Sequence, residues 1–213
     1  MKTCSWYYYP VGIFLVAALA TAGILPYGEE ILFLNDLRFE PFNTAFRVIT
    51  VFGEPFMWVL AGVFFLFRAR SMAFPVIVAG LLIIPVSYII KDKAGTDRPC
   101  THFQNIGKSD QVVVVPGVAL NKGKTSFPSG HTMSAFGLYS MLALLSRGKN
   151  RYLLMTLAGF SILVGVSRIF LVQHFLVDVI GGAVLGMLIS ILVWKVWDNK
   201  KPGTSEKIRV SDI

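Results

Sequence analysis

Residues 73–99 read AFPVIVAGLLIIPVSYIIKDKAGTDRP. The first eighteen carry no charge, and the next nine hold Lys91, Asp92, Lys93, Asp97 and Arg98. A hydrocarbon layer of about 30 Å is crossed by roughly 20 helical residues, so 73–90 predicts a membrane helix with its charged end at a bilayer edge. Barrel strands would be about ten residues long and alternating, which this run is not. Comparable apolar runs occupy 7–25, 56–67, 129–145, 152–172 and 174–197, the second reaching spanning length only if it begins near Val48. The expected fold class is therefore all-α, a polytopic membrane bundle of about six transmembrane helices. Composition agrees: 54% of the 213 residues are hydrophobic and 15% charged, where a soluble domain carries about 25% charged residues. That deficit extends over the chain, giving one transmembrane domain at 1–199 and a polar tail at 200–213, expected to be cytoplasmic and disordered.

The first run has a competing reading, because Lys2, an apolar core and Ala20-Thr21-Ala22 look like a secretory signal; a retained membrane helix is expected. Lys2, Arg68, Arg70, Arg147, Lys149, Arg151, Lys195, Lys200 and Lys201 fall on one side of the six runs. The positive-inside rule makes that side, and both termini, cytoplasmic. Residues 30–55 place Phe33, Leu34, Leu37, Phe42, Ala45, Phe46 and Ile49 at helical spacing among charges. This suits amphipathic helices in the interface, either packed on the bundle or forming a lateral entrance for a lipid. The connection 100–127 contains VVVVPGVAL at 112–120, which reads as a hairpin or extended extracytoplasmic flap turning at Pro116-Gly117. Cys4 and Cys100 belong to opposite sides and are not expected to pair. The net charge is +8, but its basic residues punctuate apolar runs instead of forming a patch. No nucleic-acid partner is expected; the partner is the bilayer.

Three polar clusters stand at helix ends, where ionisable groups are costly. One is Lys91 to Pro99. A second is Pro128-Ser129-Gly130-His131, and a third runs from Ser167-Arg168 through His174 to Asp178. The alternation of spans puts all three at the extracytoplasmic end. Lys91, Arg98 and Arg168 supply positive charge, two of them as guanidinium forks suited to phosphate oxygens. Ser129 adds a hydroxyl, and Gly130 a backbone N–H that an anion can approach closely. His174 and Asp178, four apart, are expected on one helix face. There the carboxylate would hold one ring nitrogen and leave the other to attack. His131 then suits a general acid. Singly, each has a structural reading: Lys91 can snorkel, Arg168 can pair with Asp178, and Ser129 can cap a helix. His102 receives no task beyond surface or substrate lining. A zinc site on the histidines and Asp178 is disfavoured by the three neighbouring cations.

These residues resemble the signature of the type 2 phosphatidic acid phosphatase family, which includes the vanadium haloperoxidases. The pattern K-x6-R-P, P-S-G-H and S-R-x5-H-x3-D is matched by Lys91, Arg98 and Pro99; by Pro128 to His131; and by Ser167, Arg168, His174 and Asp178. The resemblance implies a membrane lipid phosphatase that forms a phosphohistidine at His174, oriented by Asp178, with His131 as proton donor. It implies that Lys91, Arg98, Ser129, the Gly130 amide and Arg168 hold the phosphoryl oxygens, and that no metal or other cofactor is needed. Substrates of small relatives are undecaprenyl diphosphate, the preferred expectation here, phosphatidylglycerophosphate and lipid A 1-phosphate. The expected location is a bacterial cytoplasmic membrane, with the site facing outward. Competing functions are lipid-to-lipid phosphotransfer and phospholipid binding without turnover.

Overall fold

A computed structural model describes residues 4–199. Every regular element among them is helical, as the apolar runs require. The helices are α1 (Ser5–Ile24), α2 (Glu29–Phe33), α3 (Phe42–Ile49), α4 (Phe56–Arg68), α5 (Arg70–Ala94), α6 (Pro99–Asn105), α7 (Gly130–Leu145), α8 (Arg151–Phe170) and α9 (Leu176–Asn199). The chain is a multi-pass membrane protein. Among the described residues four stretches are long and apolar enough to cross a bilayer: α1, residues 70–105 including α5, α8 and α9. A fifth is available if residues 42–53 and α4, bent by 55° at Glu54-Pro55, act as one span.

The expectation of about six spans included α7, which has 16 residues and so a length of about 24 Å at 1.5 Å per residue. It need not face lipid. Thirteen of its residues, from Thr132 to Leu145, are buried, and α5, α8 and α9 surround it. Small residues allow this close fit. A side chain on Gly182 of α9 would meet Ser129 O at 2.6 Å, and one on Gly186 would strike Met133 O. Gly182 and Gly186, one turn apart, thus bring α9 backbone to backbone with α7, the small-xxx-small packing of membrane helices. Interhelical hydrogen bonds add specificity: Tyr8 Oη to Ser140 Oγ at 2.8 Å, Trp58 Nε1 to Ser134 Oγ at 3.2 Å, and Ser190 Oγ to Gly137 O at 2.7 Å.

Segment 30–55 forms short helices that pack on the bundle. Ile31 is buried, Phe46 stacks on Phe170 at 4.3 Å, and Arg38 donates to Phe170 O at 2.8 Å. Of the hairpin or extended flap expected at 112–120, the hairpin is absent: no strand occurs among the described residues. The turn at Pro116-Gly117 does form, with Gly117 at φ +76° and Val118 N donating to Val115 O. The connection instead opens with α6, begun by Pro99 at its first position. It is then tied down by side chains, Asn35 bridging Gln111 O and Val113 N, and Gln173 reaching Ala119 O. No disulfide joins Cys4 and Cys100. The expected disordered tail, 200–213, lies outside the described residues.

Candidate active site

The C-terminal ends of α5 and α8 meet the N-terminal ends of α7 and α9, and the three predicted clusters converge there. Lys91, in the last turn of α5, donates to Thr125 O at 2.9 Å. Arg98 precedes α6 and reaches Thr125 Oγ1 and Gln173 O, both at 3.3 Å. Arg168 is buried near the end of α8 and donates through Nη1 to Thr50 Oγ1 at 2.7 Å. Its Nε has no hydrogen-bond partner. Arg168 is not paired with Asp178, which removes one structural reading of that arginine. Lys91, Arg98 and Arg168 lie within electrostatic reach of one another. A buried donor left unpaired costs about 1–3 kcal/mol, and Arg168 Nε is one such donor.

Ser129 is the N-cap of α7, its Oγ bonded to Thr132 Oγ1 at 2.8 Å and accepting from Thr132 N at 3.4 Å. The capping reading of this hydroxyl therefore holds. Gly130 opens α7, and a Cβ there would meet Ser87 Oγ at an ordinary 3.7 Å. Packing does not demand glycine at this position.

His174 departs from its expected setting. It lies in the connection after α8, just before α9, while Asp178 sits in the first turn of α9. The two are not on one helix face. Asp178 acts in the helix start itself: its Oδ2 accepts from Phe175 N at 2.8 Å and from Ser126 Oγ at 2.5 Å. Both bonds are buried, and Oδ2 stands 3.4 Å from His174 Nδ1. At that separation the geometry of a hydrogen bond is not met, and Nδ1 has no hydrogen-bond partner. His174 is 2% exposed. Burial, seconded by the charge of Arg168, outweighs the pull of Asp178 and pushes its imidazole down to about 3. The ring is thus neutral, keeping a lone pair on the nitrogen that Asp178 does not face.

His131 is held by a residue the sequence reading missed. Its Nε2 lies 2.8 Å from Glu54 Oε1, and the two side chains are 25% and 42% exposed. The local cause is Gly53: a Cβ there would meet His131 O at 2.9 Å and Val164 Cγ1 at 2.6 Å. Glycine lets the 3-10 turn Thr50–Gly53 lie against the first turn of α7. One short turn therefore delivers Thr50 to Arg168 and Glu54 to His131. Glu54, charged and directly ahead of an apolar run at the end where the clusters gather, was the available signal. Ser126, buried on Asp178, had none. His102 packs its ring on Tyr27 and Phe175 at 5.1 and 5.4 Å, a structural placement.

From His131, Gly130 and Lys91 a cavity of about 830 Å3 runs between α4 and α5. Past Glu54 its walls are nearly all apolar, including Trp58, Val63, Leu66, Ile77 and Ile84. It reaches from Lys91 to Ile77, fourteen positions along α5, or about 21 Å.

A cationic, histidine-bearing site at the end of a membrane helix bundle, open to an apolar slot, defines the class of this protein. The chain belongs to the PAP2 superfamily, whose profile matches residues 68–202, more than half its length. Phosphatidylglycerophosphatase B of Bacillus subtilis (strain 168) is 39% identical over 88 residues, 38% of this chain and 43% of that protein. Undecaprenyl-diphosphatase BcrC of the same organism is 35% identical over 85 residues, 40% of this chain and 42% of the relative. Lipid A 4'-phosphatase of Porphyromonas gingivalis is 27% identical over 173 residues, 78% and 70% of the two chains. The matched part of the chain thus spans less than half the length of two of these curated relatives. Among solved structures, Aquifex aeolicus LpxE superposes with a TM-score of 0.66 at 23% identity, over 78% of this chain and 93% of that one. That likeness is one of fold. A PAP2 type phosphatidylglycerolphosphate phosphatase from Bacillus subtilis gives 0.54 at 25% identity, over 95% and 98%.

Proposed function

We propose that this protein hydrolyses a lipid phosphate or diphosphate, with His174 as nucleophile, on the extracytoplasmic face of a bacterial cytoplasmic membrane. The observation that carries this reading is the junction of the Lys91, Gly130 and His131 cluster with the apolar cavity between α4 and α5. Phosphate and hydrocarbon would bind side by side, as a lipid phosphate presents them.

In the first step the free nitrogen of His174 attacks phosphorus, and the bond to the lipid oxygen breaks as that oxygen takes a proton from His131. In the second, water gives its proton to His131 and attacks the phosphohistidine; the P–N bond breaks, and phosphate leaves. The proton lost from His131 is thereby restored. Lys91, Arg98, Arg168 and the Gly130 amide offset charge on the equatorial oxygens, the electrostatic preorganisation on which phosphoryl transfer depends. Ser129 contributes chiefly by setting the start of α7, since its hydroxyl is already engaged by Thr132.

The cavity wall turns apolar at Pro55, Phe56, Ile84 and Tyr88, close to Lys91. This favours a substrate whose hydrocarbon joins the phosphate directly, such as an isoprenoid diphosphate of the undecaprenyl type, over one with a long polar head. Purified protein assayed for phosphate release over isoprenoid diphosphate, phosphatidylglycerophosphate, phosphatidic acid and lipid A substrates tests both claims. The isoprenoid should have the highest kcat/KM, and His174→Ala should be inactive on all. Activity in that variant near the wild-type level overturns the mechanism; preference for phosphatidylglycerophosphate overturns the substrate assignment.

A further inference from the structure

The mechanism just proposed leaves Glu54 unused. It is a carboxylate at the mouth of the cavity, bonded to the imidazole assigned the proton. We propose that Glu54 is the positioning residue for His131, holding Nε2 so that the ring's other nitrogen serves the departing lipid oxygen. This rests on the phosphatase reading.

Three observations support it. The His131–Glu54 contact, at 2.8 Å, is shorter than the 3.4 Å between His174 and Asp178. Gly53 cannot carry a side chain without striking His131 O, so the backbone is shaped to present residue 54 at that ring. The charged groups around His131 are otherwise cationic: Arg168 from α8 and Arg98 from the start of α6 act on it, and Lys91 from α5 shares its cavity. A proton on His131 adds a further positive charge to this set, and Glu54 is the carboxylate that offsets it. The step gains no new reactant. The proton on His131 passes to the lipid oxygen as the P–O bond breaks, and water later returns the proton to the ring.

Leaving-group chemistry separates this role from a structural one. Departure of a lipid alkoxide needs a proton; departure of p-nitrophenolate does not. Glu54→Gln keeps a hydrogen-bond acceptor but removes the charge. On a lipid monophosphate such as phosphatidic acid, whose leaving group is an alkoxide, its kcat should fall by at least about tenfold, within the range of general-acid contributions, with KM changed by less than about threefold. The alkaline limb of the kcat profile should move to lower pH, because His131 gives up its proton more readily. On p-nitrophenyl phosphate the loss should be less than about threefold. Equal losses on the two substrates, or an unmoved alkaline limb, overturn the proposal while wild-type turnover and an inactive His174→Ala leave the phosphatase reading standing. If wild type releases phosphate from neither substrate, both fall. Size-exclusion elution in detergent reports folding. If Glu54→Gln does not fold, Glu54→Asp, which keeps the charge on a shorter arm, should keep the wild-type alkaline limb at reduced kcat; a displaced limb in that variant overturns the proposal.

Discussion

Two histidine–carboxylate pairs stand at the same end of this bundle, and they are built in opposite ways. His174 and Asp178 are 3% and 1% exposed at their side chains, and the carboxylate is anchored from behind by Ser126 and the Phe175 amide. His131 and Glu54 are 25% and 42% exposed, closely bonded to each other, and line the cavity mouth. Burial makes the first imidazole a neutral base, as the role proposed for it requires. Partial exposure lets the second exchange protons with water and substrate. The same two residue types thus stand in different surroundings, one pair sealed in the bundle and the other at the cavity mouth.

Breaking the buried pair should cost most. His174→Ala removes the nitrogen proposed to attack, and a loss of 10^3-fold or more in kcat, on the order seen when a covalent nucleophile is deleted, should appear in phosphate-release assays. Asp178→Asn should follow, with a fall of about 10^2- to 10^4-fold, because an amide does not hold the ring in the tautomer that leaves the outer nitrogen bare. The Phe175 and Ser126 bonds to Asp178 imply some loss of stability as well, read as a lower Tm in detergent. The exposed pair is more tolerant, and its carboxylate variant sits below these two.

The cavity lies outside both pairs and should affect binding alone. Val63→Trp, placed on its apolar wall, should raise KM for a long-chain lipid phosphate by about tenfold, the order of a few lost methylene contacts. It should leave p-nitrophenyl phosphate hydrolysis unchanged. Loss on both substrates would mean that the slot supports the fold instead of the lipid.

The smallest effect sharpens the protonation contrast. His174 stays neutral in the folded protein down to about pH 3, whereas an unfolded histidine takes a proton near pH 6.5. Between those values the unfolded chain binds a proton that the folded site refuses. This part of stability is therefore intact above about pH 6.5 and is lost as pH falls toward 3. Acidification from pH 7 to 4 should lower the Tm of wild type more than that of His174→Ala, and equal slopes would place His174 in contact with solvent.

Much of this was legible along the chain because membranes impose a one-dimensional code. Apolar runs marked the helices, and charges at their ends marked the site. Lys91, Arg98, Ser129, Gly130, His131, Arg168, His174 and Asp178 were all named by position within motifs, and packing gathers them at one end. What was illegible depends on contacts between distant segments. Glu54 is 77 positions from its histidine, and nothing in the local pattern separates a pairing carboxylate from one that faces water. Ser126 lies in a connection whose backbone follows no periodic rule. The 3.6-residue repeat placed His174 and Asp178 on one face, but Asp178 caps the helix that His174 precedes.

The sequence by itself determined an all-helical membrane protein with a phosphate-type constellation at one end, since hydrophobicity and charge are properties of each residue and its near neighbours. The tertiary structure alone decided that α7 is a short enclosed core helix, because glycines on α9 let the backbones touch. It decided that α4 and α5 part to leave an apolar slot. It decided, through the clearance at Gly53, which carboxylate meets which histidine. Those are outcomes of side-chain volume in three dimensions, and no spacing along the chain encodes them.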